Sequence, residues 1–199
     1  MPTRIHALLL ALAPGLWIGP EGDAEVFLTK EEALALAFPE CTVERTTWVL
    51  TEAQQEVADE LAGFEVEKKP FFAYVARSKG EKGALVGTAW FDVHQVRTKK
   101  ETVMVVVTPG QRVKRIELLA FAEPAEYIPR PKWYAQFVGK ELDDELRLQR
   151  GIKGVTGATL TARATTQAVR RVLAVHAAVY PKPPVPEEDR PRGVVRGGE

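Results

Sequence analysis

From Leu160 to Val179 the chain repeats apolar residues every three or four positions: Leu160, Ala164, Ala168, Val172, Val175 and Val179, with Val169 and Leu173 beside them. That period is one face of an α-helix about five turns long, and such a face needs a surface to bury it. The stretch Lys153-Gly154-Val155-Thr156-Gly157-Ala158-Thr159-Leu160-Thr161 leads into it. Thr156 is a favourable N-cap whose hydroxyl is spaced to accept from the amide of Thr159, placing Thr159 and Thr161 in the first turn. Unpaired amides and the positive end of the helix dipole favour an anion there, typically a phosphate. An ordinary capped helix reads the same way on local physics alone.

The surface that buries the helix is legible upstream. Thr42–Leu50, Phe64–Val66, Pro70–Ala76, Ala84–Val96, Thr102–Val107 and Val113–Phe121 are rich in β-branched and aromatic residues. Polar or Gly/Pro turns at Ser78–Gly83 and Pro109-Gly110 separate them, and such short connections join antiparallel neighbours. Two helices interleave with these strands. Phe27–Phe38 is capped by Thr29, carries Glu31 and Glu32 in its first turn, buries Leu34, Leu36, Ala37 and Phe38, and stops at Pro39. The next opens at Thr51 with Gln54 in a capping box and stops at Gly63. The expectation is an α+β fold: a mainly antiparallel sheet packed with helices, closed by a long C-terminal helix.

Charge and cysteine usage exclude several functions. Lysine plus arginine and aspartate plus glutamate both number 27, and no basic cluster suggests a nucleic-acid partner. The single cysteine, Cys41, forms no internal disulfide and supports no haem attachment or iron–sulfur cluster. His6, His94 and His176 are not spaced as metal ligands. His94 and Arg97 read as solvated strand-end residues before the charged turn Lys99-Lys100-Glu101. No nucleophile–base constellation is visible, so no catalytic residue is assigned and any redox chemistry must come from an organic cofactor.

Residues 1–24 read as an export signal: Arg4, an apolar run from Ala7 to Ile18, then Gly22 and Ala24 at cleavage offsets. A buried N-terminal helix and a retained anchor are the alternatives, and the apolar run is short for a bilayer. Residues 25–180 read as one domain and 181–199 as a proline-rich, charged, flexible tail. Between the last strand and the helix, Phe121–Pro131 forms a proline-stiffened loop carrying Tyr127, with Trp133, Tyr134 and Phe137 on a short helix beyond. These aromatics either wall a pocket for a planar ligand or fill a satellite core.

Thr156-Gly157-Ala158-Thr159-Leu160-Thr161 resembles the Ser/Thr-Gly-Ala-Thr motif of the FMN-binding domain family. That family includes the peripheral flavoprotein subunits of the Rnf and sodium-pumping NADH:quinone oxidoreductase complexes. The resemblance spans roughly Phe27 to Val179. It implies FMN attached by a phosphoester to Thr159 by a separate flavin transferase, with Thr156, Gly157, Ala158, Leu160 and Thr161 around it. Glu123-Pro124 is similar to the Glu-Thr-Pro element of a loop near the isoalloxazine, which implies a ring contact for Glu123 alongside Tyr127 and Trp133. Lys153 stands where the family motif carries an aspartate, and the Gly-Leu-Gly that follows the Glu-Thr-Pro element is absent. The function implied is an extracytoplasmic, FMN-binding electron-transfer protein working with a membrane oxidoreductase or a cytochrome. The alternative is a non-redox ligand-binding or interaction subunit of a membrane complex without covalent flavin, and the reversed charge at Lys153 is its best support.

Overall fold

The computed structural model of the protein describes residues 24–80 and 83–182. The proposed export signal and tail lie outside these apart from Ala24, Pro181 and Lys182. In chain order the elements are β1 (Glu25–Val26), α1 (Lys30–Ala37), β2 (Cys41–Trp48), α2 (Glu52–Ala62), β3 (Phe71–Ser78), β4 (Leu85–Gln95), β5 (Lys100–Val107), β6 (Val113–Phe121), α3 (Pro131–Tyr134) and α4 (Thr159–Val179). Single turns of 3-10 helix cover Ala125–Tyr127 and Ala135–Phe137.

The strands form one six-stranded antiparallel sheet in the order β1-β6-β5-β4-β3-β2. β3 to β6 are a meander joined by short turns, which return the chain alongside itself, and β2 pairs with β3 across a longer connection that contains α2. The α+β expectation holds, with differences of detail. Phe64–Val66 is not a strand, and Ala84–Val96 is one strand rather than two. Thr29 and Thr51 cap α1 and α2, each in a reciprocal capping box with Glu32 and Gln54. α1 begins at Lys30, because the amide of Phe27 is committed to the carbonyl of Leu119 in the sheet. Its buried residues are Ala33 and Ala37, and Leu36 is 51% exposed.

Both faces of the sheet are covered, which is why β5 is buried from Glu101 to Val107. Val103, Val105 and Val107 face α4 and α2 with Trp90, Ala168, Val169 and Val172. Met104 and Val106 face α1 with Ala89 and Leu119. Each fully buried valine contributes about 1.5–3 kcal/mol by leaving water, so β5 is the central element of the core. Leu160, expected on the buried face of α4, is 44% exposed. The face is instead carried through Thr161, Ala162, Thr165, Ala168 and Val169. Leu160 fits the apolar period but lies in the first turn, outside the packed core.

Polar contacts join α4 to the sheet within this apolar packing. Arg171 donates to both oxygens of Asp92, at 2.8 Å each. His94 meets Asp92 through Nδ1 at 2.9 Å and Glu101 through Nε2 at 2.8 Å. The hydroxyl of Thr165 donates to Glu101 at 2.9 Å. His94 is therefore not a solvated strand-end residue: strand alternation puts it on the same face as Trp90 and Asp92. Burial alone would raise the Asp92 carboxyl, but the bonds from Arg171 and His94 hold it well below its usual range. Burial alone would lower His94, but its two carboxylate partners raise it to about 9. At the other end of α4, burial lowers His176 to about 4, and its Nδ1 accepts the indole N–H of Trp90 at 3.2 Å.

These two histidines set opposite limbs of a pH profile. His94 holds its proton more tightly when folded, so its contribution is complete below about 6.5 and is lost as pH rises through about 9. His176 is kept neutral when folded, so stability falls as pH drops from about 6.5 toward about 4. Urea unfolding across pH should show a maximum near 6.5, with each limb worth on the order of 3 kcal/mol. His94→Gln should flatten the alkaline limb and His176→Asn the acid limb. A profile in which neither substitution alters its own limb would refute the assignment.

Candidate functional site

The segment before α4 is shaped by a tight turn. The amide of Ala158 donates to the carbonyl of Val155 at 3.2 Å, and Gly157 sits at φ +85°. Only glycine adopts that angle without strain, so Gly157 sets the direction in which the chain enters the helix. α4 starts at Thr159, and its N-cap is Ala158 rather than Thr156. Ala158 has no side-chain acceptor, and no side chain caps the end. The amides of Thr159, Leu160 and Thr161 therefore lack helical carbonyl partners and project from the positive end of a 21-residue helix. In α1 and α2 the equivalent position is filled by a threonine hydroxyl.

These amides lie at a pocket of about 170 Å³ lined by Gly157, Ala158, Thr159, Leu160 and Thr161 together with Arg97 and Tyr127. The Arg97 guanidinium lies over the Tyr127 ring, 5.2 Å from its centroid. Arg97, read from the sequence as a solvated strand end, is exposed but is the cation of this pocket. It sits on the β4–β5 turn, closed by the Val96 amide to the Lys99 carbonyl at 3.0 Å.

Glu123 holds that turn. One of its carboxylate oxygens accepts from the amides of Thr98 and Lys99 at 2.7 and 2.8 Å and from the Thr98 hydroxyl at 3.2 Å. Burial raises its carboxyl, but the backbone donors outweigh this and keep it below its usual range. Glu123 thus positions Arg97 and does not line the pocket.

The two threonines of the first turn differ in their surroundings. The hydroxyl of Thr161 is buried and donates to the carbonyl of Tyr127 at 2.7 Å, tying the aromatic loop to α4. Thr159 is exposed, and its hydroxyl donates to the Val155 carbonyl at 3.2 Å. Thr156 is exposed in the turn and does not line the pocket. Trp133 packs into the core at 7% exposure, edge-on to Tyr134 and Phe137, so it forms no pocket wall. Its indole N–H donates to the carbonyl of Lys153 at 2.6 Å, while the Lys153 amide donates to Gln136 at 2.9 Å. The aromatic helix therefore anchors the start of the motif from behind. Of the sequence-selected residues, Gly157, Ala158, Thr159, Leu160, Thr161 and Tyr127 meet in one place, and Glu123 and Trp133 support it.

A row of free amides, a guanidinium and a hydroxyl, with no carboxylate on the wall, is chemistry for a phosphate group. The volume suits a phosphate, whereas clefts for larger organic ligands run to roughly 300–1,000 Å³. Among the described residues no group of three His, Cys, Asp or Glu side chains is arranged to hold a metal.

Removing each hydroxyl tests the difference between the threonines. Thr161→Val leaves the Tyr127 carbonyl without its donor and should cost about 1–3 kcal/mol in urea unfolding. Thr159→Val should stay within about 0.5 kcal/mol of wild type. Equal costs for both would contradict the roles assigned to them.

No curated protein matches the chain. A model of the FMN-binding domain family matches residues 98–174, from the β4–β5 turn through β5, β6 and the aromatic segment into α4. The match contains Glu123, Tyr127 and the whole Thr156–Thr161 motif, and begins one residue after Arg97. That match supports an FMN-binding domain over residues 98–174 and indicates FMN as the cofactor.

Proposed function

We propose that the protein carries FMN through a phosphoester on Thr159 and passes electrons between partner proteins outside the cytoplasm. The observation that carries this reading is that the exposed Thr159, beside the free amides of α4, lines one pocket with Arg97. The residues present fit the phosphate end of FMN. The amides of Thr159, Leu160 and Thr161 and the Arg97 guanidinium would hold it, and Gly157 lets it approach the backbone. FMN supplies the redox chemistry. Tyr127, whose backbone carbonyl Thr161 holds, is the aromatic residue that lines the pocket and would meet the rest of the cofactor.

Thr161 is a poor alternative for attachment, because its hydroxyl is buried and already engaged. Thr159 donates to a carbonyl, which is no base, so its hydroxyl needs outside activation. That supports loading by a separate flavin transferase. The absence of a nucleophile–base pair at the pocket supports a carrier working with a membrane oxidoreductase or cytochrome. Export rests on the pattern of residues 1–24.

Lys153 favours the second reading, in which FMN is held without a covalent bond by an interaction subunit. The Lys153 backbone is fixed by Trp133 and Gln136, and its side chain is exposed. A charge change there alters what an approaching transferase meets and leaves Thr159 in place.

Mass spectrometry of denatured protein co-expressed with a flavin transferase should find one flavin adduct in wild type and in Thr161→Val, and none in Thr159→Val. An adduct surviving in Thr159→Val would show that another residue is esterified. Without the transferase, Arg97→Gln should weaken retention of free FMN about tenfold, the loss of one charge-assisted contact. Unchanged affinity would remove Arg97 from the site. Sequencing the protein from its host should find a mature start at Glu25, and intact Met1 in a cytoplasmic fraction would overturn export.

A further inference from the structure

One buried charge takes no part in the flavin site. Arg170, on α4, is 5% exposed. Its guanidinium donates to the carbonyls of Ala62 at 3.0 Å, Leu61 at 3.1 Å, Asp143 at 2.7 Å and Leu146 at 3.3 Å. It thereby satisfies the C-terminal carbonyls of α2 and ties the 143–146 turn to α4. All these partners are neutral dipoles, and the ion pairs among the described residues do not include Arg170. A buried charge without an opposite charge is costly, and carbonyl dipoles offset only part of that cost.

The surroundings add to the positive charge. Arg170 lines a pocket of about 290 Å³ with Arg147, Arg163, Gln167 and Phe64, and no carboxylate side chain lines it. Arg147 makes an exposed pair with Asp144 at 3.2 Å through Nε, leaving its terminal nitrogens beside Gly63. Arg163 is exposed and forms no ion pair among the described residues. Burial and the neighbouring charge of Arg147 both lower Arg170 from its ordinary value. Three guanidinium groups and a side-chain amide thus converge on a concave site.

We propose that the pocket between Arg147, Arg163, Gln167 and Arg170 is an anion site, separate from the flavin-phosphate pocket, that binds a phosphate or carboxylate group. An anion there would neutralise the mutual repulsion of the three arginines and accept chiefly from N–H groups of Arg163 and Arg147, since Arg170 is largely committed to carbonyls. Arg163 follows Thr159 by one helical turn, about 6 Å along α4, so an occupant lies close to the flavin attachment point. The ligand chemistry has two sources: a free small anion, or acidic side chains of a protein that docks on this face. The proposal stands without the covalent flavin, because none of its residues lines the other pocket.

The test is calorimetric titration of inorganic phosphate into the full chain at constant ionic strength, for wild type, Arg163→Gln and Arg97→Gln. Arg163 is exposed, so its substitution spares the fold. Saturable binding that persists in Arg97→Gln and weakens about tenfold in Arg163→Gln is the expected result. Binding lost only in Arg97→Gln, or an equal non-saturating response in all three proteins, overturns the site. A hexaglutamate peptide that displaces phosphate from Arg97→Gln identifies protein carboxylates as the source. Phosphate binding with no displacement identifies a free anion. If neither probe binds, the proposal fails.

Discussion

The bidentate pair between Arg171 on α4 and Asp92 on β4 fixes the long helix against the sheet. Apolar burial drives the two together but is non-directional, and would tolerate small slides and rotations of the helix. A planar guanidinium on a carboxylate tolerates neither. The phosphate pocket depends on that restriction, because its amides lie at the free end of α4 and Arg97 lies on a sheet turn. Thr165 to Glu101 and Thr161 to the Tyr127 carbonyl repeat the tie toward the N-terminus. From Arg171 to Thr161 these ties cover about 15 Å of helix. Each costs desolvation, and together they give a helix end that stays in register with the groups facing it.

Local chemistry made much of the fold legible. The cap at Thr29, the capping box at Thr51, the stop at Gly63 and the Pro109-Gly110 turn all depend on contacts within a few residues, so the sequence carries them. The ends of α4 were less accessible. Thr156 is a good capping residue, but the turn through Gly157 carries it away from the helix, and a cap depends on backbone direction as well as residue type. Leu160 illustrates a limit of periodicity: apolar spacing marks a face but not where the covering surface ends. The buried Asp92–His94–Glu101 group had one readable sign. Trp90 is a core residue, and strand alternation from it puts Asp92 and His94 inward. The charged turn that seemed to follow obscured this, since Glu101 pairs with His94 from the next strand.

At the candidate site the motif and Tyr127 were legible and Arg97 was not. Gly157 to Thr161 are contiguous, and helix-end physics singles them out. Tyr127 was singled out by its proline-stiffened loop, whereas Arg97 reaches the same pocket from the β4–β5 turn and only the folded arrangement joins it to the motif. Glu123 and Trp133 were sound choices of residue with different work. A carboxylate accepting two backbone amides and an indole bonded to a carbonyl are positioning groups, whose effect on a ligand passes through Arg97 and the Lys153 backbone. Thr159 and Thr161 belong to one motif, yet one hydroxyl secures the loop and the other is available for chemistry.

A formal net charge of zero conceals how unevenly α4 presents positive charge to solvent. The helix N-terminus offers backbone amides, whose partial charges are fixed by the fold and act at hydrogen-bond distance. One turn on, Arg163 offers a full charge on a long side chain near the surface, with Arg147 of the preceding segment lining the same pocket. Salt separates the two kinds of site. The Debye length is about 8 Å at physiological ionic strength, so attraction between exposed charges weakens as salt is added. Hydrogen bonds from amides in a small pocket are screened much less, because few ions enter between donor and acceptor. A cofactor phosphate gripped by the helix end would therefore stay in place under ionic conditions that loosen anything held by the arginine face.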